Sequence, residues 1–202
     1  MSLESQSILP RNGQKPNRLL VMLHGWGANF NDLTGLVDLL DLPDYQFLFP
    51  NAPFPHFQIP GGRAWYALET EEREGLTESR QLLLEWLRSL PEETGIPFDR
   101  TVLFGFSQGG AMTLDIGFEL PFAGLSSFSG YLHAPPQGKK TSPPTLIVHG
   151  DRDPVVPVQA AREVKEILNK QGVTIEYCEF AMAHEIDYPA LVTLKKFLKN
   201  LY

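Results

Sequence analysis

The chain has a single cysteine, Cys178, among its 202 residues. No internal disulfide can form, which excludes a disulfide-stapled small domain. Cys178 lies in a strand-like run and reads as a small buried apolar residue. Positive charge is also scarce: Lys and Arg total 17 against 24 Asp and Glu, a formal net charge of −7. A general nucleic-acid binder needs clustered Lys and Arg to neutralise phosphates, so no nucleic-acid partner is expected. No apolar run approaches the ~18–20 residues that cross a bilayer, which argues against stable membrane insertion. The opening residues, Met-Ser-Leu-Glu-Ser-Gln-Ser, lack the basic and apolar stretches of a secretory leader, and the expected location is cytoplasmic. The five histidines are scattered without metal-ligand spacing, so no metal site is expected and no cofactor is implied.

What is present suits a globular domain. Hydrophobic residues make up 43% and charged residues 20% of the chain. The length fits one compact domain over residues 1–202, with no linker and no internal repeat. Short apolar runs predict strands at 18–23, 45–49, 100–106, 124–129, 145–149 and 173–180. Several are continuously apolar, as strands covered on both faces must be. Amphipathic segments between them predict helices at 79–90, 108–119 and 157–170. A last helix carries Leu191, Leu194, Phe197, Leu198 and Leu201, with Lys195, Lys196 and Lys199 near its negative dipole end. Strand–helix alternation of this kind means a mainly parallel sheet with helices on both faces. Ligand sites in such sheets collect at the carboxyl ends of the strands.

One such end carries Gly105-Phe106-Ser107-Gln108-Gly109-Gly110, a strand-to-helix turn of the form G-x-S-x-G. Glycines flank a serine held in a strained conformation, and the helix start points N–H groups at any developing negative charge. A serine hydroxyl needs a base, and the base needs an orienting carboxylate. In this architecture the acid and then the histidine follow later strands. His184 follows the last strand. Both Asp153 and Asp151 follow the strand at 145–149, and spacing leaves the two open, with a turn-capping role as the alternative for either. The oxyanion of an acyl intermediate needs two N–H donors. Gln108 supplies one, and Trp26, between Gly25 and Gly27 after the first long strand, supplies the other. His24 is expected to brace that loop and His149 to be a buried strand end, while nothing marks His56 or His133 as ligands.

These motifs resemble the phospholipase/carboxylesterase branch of the α/β-hydrolases, which includes the acyl-protein thioesterases. The resemblance runs from about Arg18 to the C-terminus. It is carried by Leu23-His24-Gly25, Pro50-Asn51-Ala52-Pro53, Arg63-Ala64-Trp65-Tyr66, the serine turn, Phe128-Ser129-Gly130-Tyr131-Leu132, Gly150 to Pro157 and Met182-Ala183-His184. It implies an α/β-hydrolase fold, with Asp153 as the acid, His184 as the base and Trp26 as the second oxyanion donor. Three positions depart from the family pattern: Trp26 stands where a smaller aliphatic residue is usual, Ala28-Asn29 where Asp often follows Gly27, and Ala67 where Asp usually follows Trp65-Tyr66. These changes surround the acyl pocket and bear on substrate choice.

The expected activity is hydrolysis of carboxylic esters, with thioesters as the related class, through an acyl-enzyme. Without an inserted helical cap the site should be open, walled by Trp26, Phe54, Phe57, Trp65 and Tyr66. The partner is then a small-molecule ester or acyl thioester, and a homodimer is compatible with the composition. The alternatives are a lysophospholipase or peptidase on the same three residues, or a non-catalytic binding module of the same fold. A peptidase would need subsites or a cap to hold a chain, and a binding module would be expected to lose a member of the triad.

Overall fold

Residues 3–10, 12–70 and 72–202 are described by a computed structural model. The strands are β1 (Ser5–Ile8), β2 (Arg18–Leu23), β3 (Tyr45–Pro50), β4 (Phe54–Pro55), β5 (Arg63–Ala64), β6 (Thr101–Phe106), β7 (Gly124–Phe128), β8 (Thr145–Gly150) and β9 (Ile175–Phe180). The α-helices are α1 (Leu36–Leu40), α2 (Leu76–Thr94), α3 (Gln108–Ile116), α4 (Val158–Lys170) and α5 (Tyr188–Asn200). Among the described residues seven strands form one sheet in the order β1-β3-β2-β6-β7-β8-β9. All neighbours run parallel except β1, which pairs antiparallel with β3 at the edge. A separate two-stranded ladder joins β4 to β5.

The period of two along β2 sorts its side chains between two cores. Leu19, Val21 and Leu23 face one side, where Leu83 and Leu87 of α2 and Met112 and Ile116 of α3 cover them. Leu20 and Met22 face the other, under Leu191, Leu194 and Leu198 of α5 and Leu40 of α1. On β8, Leu146 and Val148 join the second layer, whereas Ile147 meets Val164 and Leu168 of α4. Helices thus cover both faces, and the central strands are apolar at nearly every position because both faces are dry.

The expected strands and long helices all form, with shifted ends. Helix α2 starts at Leu76 and runs one turn past Leu90, through Pro91, to a left-handed Gly95 cap at φ 73°. The stretch expected as a continuation of α3 tightens to a 3-10 turn at Gly117–Glu119. Among the strands and α-helices, four carried no sequence signal: β1, α1 and the two-residue strands β4 and β5. β1 is Ser-Gln-Ser-Ile, polar because it is an edge strand, and α1 is too short to display a helical period. Cys178 departs from the expected full burial. It lies on β9, the other edge strand, and is half-buried.

The order of the sheet positions the site. From β2 the chain places β3 on one side and β6 on the other, so a crevice opens at the carboxyl ends of β2 and β6. The turn from β6 into α3 fits there only through backbone-to-backbone contact. A Cβ on Gly105 would lie 2.1 Å from the Gly109 carbonyl oxygen, and one on Gly109 would lie 2.2 Å from that of Leu23. Gly109→Ala should therefore lower stability by at least about 2 kcal/mol, measured by urea unfolding, because no flexible side chain can move aside. An alanine variant as stable as the parent would contradict this packing.

Candidate active site

Ser107 sits between β6 and α3 with φ 54° and ψ −118°. A non-glycine residue adopts that conformation at a cost of roughly 1–3 kcal/mol. Its backbone is held at both ends. The Ser107 N–H donates to the Phe128 carbonyl at 2.8 Å, and its carbonyl accepts from the Ala111 N–H at 2.9 Å. The turn lifts the hydroxyl above the sheet, where the loop after β9 brings His184.

His184 Nε2 lies 2.9 Å from Ser107 Oγ, and His184 Nδ1 lies 2.7 Å from Asp153 Oδ2. Both contacts form at once in the neutral tautomer that carries its proton on Nδ1: Nδ1–H donates to the carboxylate and Nε2 accepts from the serine. The Asp153 side chain is fully enclosed. Its Oδ1 accepts the N–H groups of Val155 at 2.8 Å and Val156 at 2.9 Å. Burial alone would raise the Asp153 pKa, but the His184 hydrogen bond and those two N–H groups outweigh it and hold the carboxyl below its usual range. His149, with no exposed surface, donates from Nε2 to the Val156 carbonyl at 2.8 Å and so fixes the turn that carries Asp153. Asp151 points to solvent, 3.8 Å from Arg152. Of the two aspartates left open by spacing, Asp153 is the one beside His184.

A model of the Phospholipase/Carboxylesterase family matches residues 5–202. The chain belongs to this family. Acyl-protein thioesterase 1 of Kluyveromyces lactis is 26% identical over 93% of both chains. That of Saccharomyces cerevisiae is 27% identical over 93% of this chain and 94% of its own. Among solved structures, the crystal structure of esterase PE8 is 30% identical, covers 100% of both chains and superposes with a TM-score of 0.91. The Bacillus cereus carboxylesterase, at 17% identity and a TM-score of 0.83, shares the fold over 99% of this chain and 95% of that one. The protein is thus a carboxylesterase-family hydrolase with an α/β-hydrolase fold and no large cap.

In this family member the loop after β2 lies against the serine turn. No backbone acceptor takes the Trp26 N–H among the described residues. Gln108 opens α3, so its N–H has no carbonyl one turn earlier in the helix. The side chain of Gln108 has a role that the motif did not reveal. At 1% exposure, its Oε1 accepts the Trp65 N–H at 2.8 Å and its Nε2 donates to the Tyr66 carbonyl at 2.8 Å. One amide therefore ties the serine turn to the segment after β5. The only sequence signal for it was a polar residue at the first position of a buried helix.

His24 braces the other side. Its Nδ1–H donates to the Gly25 carbonyl at 2.7 Å, and Nε2 accepts the Ala52 N–H at 3.0 Å. The Trp65 indole N–H donates to the His24 carbonyl at 3.0 Å.

The aromatic wall expected from sequence divides in three. Trp26 lines a cleft of about 370 Å³ that holds Ser107 and His184, together with Leu33, Leu36, Phe106 and Ile186. Phe54, Phe57 and Tyr66 do not line that cleft. They line a second hollow of about 240 Å³ on the other side of Trp26. Trp65 is no wall: it has no exposed surface and packs in the core as the brace of His24. The Tyr66 hydroxyl is occupied by Tyr131 at 2.5 Å and His133 Nε2 at 2.8 Å, and burial together with Tyr131 pushes its pKa well above the usual tyrosine value. Leu33, Leu36 and Ile186 escaped the sequence reading because only the tertiary fold brings them to the serine.

Burial lowers the His24 pKa to about 4, from 6.5 in an open chain, by penalising the charged ring, and this outweighs the hydrogen bond to the Gly25 carbonyl, which favours it. Between those values the unfolded chain binds the extra proton. Stability from this group is complete above about pH 6.5 and is lost as pH falls toward 4, by roughly 3 kcal/mol. Urea unfolding of the parent and His24→Asn at several pH values isolates the effect. The stability gap between them should shrink steadily from pH 7 to pH 4, and a gap independent of pH would contradict it.

Proposed function

We propose that the protein is a serine carboxylesterase, acting on carboxylic esters and on thioesters of the same acyl groups, and that residues 1–202 work as one domain. The observation that carries this is the continuous chain of hydrogen bonds from Ser107 through His184 to Asp153 at the strained turn. In the reaction Ser107 Oγ attacks the acyl carbon while His184 Nε2 removes its proton. Asp153 holds the Nδ1–H tautomer and stabilises the imidazolium that forms. The N–H groups of Trp26 and Gln108 receive the negative charge on the carbonyl oxygen, a contribution typically worth ~100- to 1000-fold per donor. His184 then protonates the leaving alcohol or thiol. Water attacks the acyl-serine by the same route in reverse and releases the acid.

The cleft around Ser107 suits an apolar acyl group. Leu33, Leu36, Phe106 and Ile186 supply apolar surface, and Asp32 and Glu185 supply the only charged side chains lining it among the described residues. An acyl group bearing its own carboxylate would meet like charge there. The acyl-protein thioesterases among the relatives support thioester hydrolysis as part of the same activity.

Turnover of a p-nitrophenyl ester tests the assignment. Ser107→Ala should abolish ester hydrolysis above background. Asp153→Asn should lower kcat by about 10⁴-fold, because it presents the wrong hydrogen-bonding face to His184, whereas Asp151→Asn should change it by less than about threefold. Unchanged turnover in Ser107→Ala, or equal losses in the two aspartate variants, would remove the proposal.

A further inference from the structure

We propose that the hollow on the far side of Trp26 binds a positively charged ammonium group on the leaving alcohol, making esters of choline-type amino alcohols the preferred substrates. This rests on the esterase reading and adds to it a substrate class. The first support is the make-up of the hollow. Trp26, Phe54 and Phe57 line about 240 Å³ of space, with the buried ring of Tyr66 behind them, and Glu69 and Glu74 stand at its edge. Aromatic faces carry negative potential, and a quaternary or protonated amine gains from them and from nearby carboxylates together.

The second support is that the lining itself carries no positive side chain among the described residues. No Lys or Arg lines either this hollow or the Ser107 cleft among the described residues. Of the nearby cations, Arg63 pairs with Glu4 at 3.3 Å, while Arg73 is turned to the His133 carbonyl at 3.4 Å, on the Tyr66 side, where its charge still reaches the Tyr66 hydroxyl. Neither Glu69 nor Glu74 has a Lys or Arg partner among the described residues. The His56 Nδ1 accepts the N–H groups of Gln58 at 3.1 Å and Ile59 at 3.0 Å, which fixes the ring in place.

The third support is that the wall is already built. The His56 ring meets Trp26 edge-on at 4.1 Å and stacks on Phe57 at 5.1 Å, so three rings form one continuous surface. His56 is itself 7% exposed and its Nε2 has no protein partner among the described residues. Phe57 is nevertheless 62% exposed, so most of its ring is open to a ligand. Two of the three family departures, Trp26 and Ala67, lie on this hollow: the first supplies a ring, the second leaves room where a longer acid is usual.

Trp26 also connects the hollow to the chemistry, since it lines both spaces. With the acyl group in the Ser107 cleft, the leaving alcohol is directed past Trp26 toward the hollow. The acyl C–O bond breaks, the alcohol oxygen takes the proton from His184, and the ammonium end stays on the aromatic wall until the alcohol departs. Anionic leaving groups, such as phosphorylated alcohols, meet the four carboxylates of Asp32, Glu69, Glu74 and Glu185 and are disfavoured.

The test compares butyrylcholine with 3,3-dimethylbutyl butyrate, which replaces the charged nitrogen by carbon at equal size. At low ionic strength kcat/KM should favour the choline ester by about tenfold or more, and the preference should fall toward unity in Glu69→Gln/Glu74→Gln and in Phe57→Ala. A second readout needs no turnover: tetramethylammonium should quench tryptophan fluorescence of Ser107→Ala saturably, more strongly than 3,3-dimethylbutanol does. Equal kcat/KM for the two esters, or equal binding of the two probes, would overturn the proposal and leave the esterase reading intact. Loss of turnover on every ester, with ammonium binding retained, would instead defeat the esterase reading.

Discussion

The direct contact of backbone with backbone where α3 crosses the ends of β2 and β6 is the constraint on which the site depends. Gly109 lies against the Leu23 carbonyl, and Gly105 against Gly109. Only residues without a Cβ allow that approach, and only that approach leaves Ser107 at φ 54° with its hydroxyl clear of the sheet. The strain at Ser107 is offset by its two backbone hydrogen bonds and by the two apolar layers that fix the strands. The turn is rigid because it is packed, and the serine is presented because the turn is rigid.

Around that turn the protein uses neutral, buried polar groups as braces. Gln108 spans from the turn to Trp65 and Tyr66, His24 spans from the loop after β2 to Ala52, and His149 fixes the carbonyl of Val156 behind Asp153. Each makes hydrogen bonds with backbone groups that would otherwise be buried without partners, which costs ~1–3 kcal/mol apiece. The same braces place the Trp26 and Gln108 N–H groups at fixed positions before any substrate arrives.

Ser107, His184 and the Asp151/Asp153 pair were legible in the sequence because each follows an apolar strand, and strand ends are local features. Choosing between the aspartates needed the resemblance, since both residues suit a turn; coordinates separate them by which carboxylate is enclosed. The two dry faces of the sheet were legible for the same local reason. Trp65 was not. A tryptophan in a proline- and glycine-rich region reads equally as wall or core, and its burial depends on a hydrogen bond to His24, 41 residues away. The division of the aromatics into two hollows likewise depends on where β4 and β5 fold back over Trp26, which no periodicity encodes. Edge strand β1 stayed hidden because its exposure removes the apolar signature of the central strands.

The site combines an apolar cleft with carboxylates and no lining cation among the described residues, features that the proposed reading assigns to different parts of a substrate. Both would be idle without a reactive hydroxyl. The central claim is therefore that His184 and Asp153 make Ser107 nucleophilic. Labelling with a fluorophosphonate, followed by mass spectrometry of the peptides, tests it most directly. The account predicts one modification, on the peptide bearing Ser107, formed far more slowly in His184→Ala. A label on another hydroxyl, or none on folded protein, would contradict it.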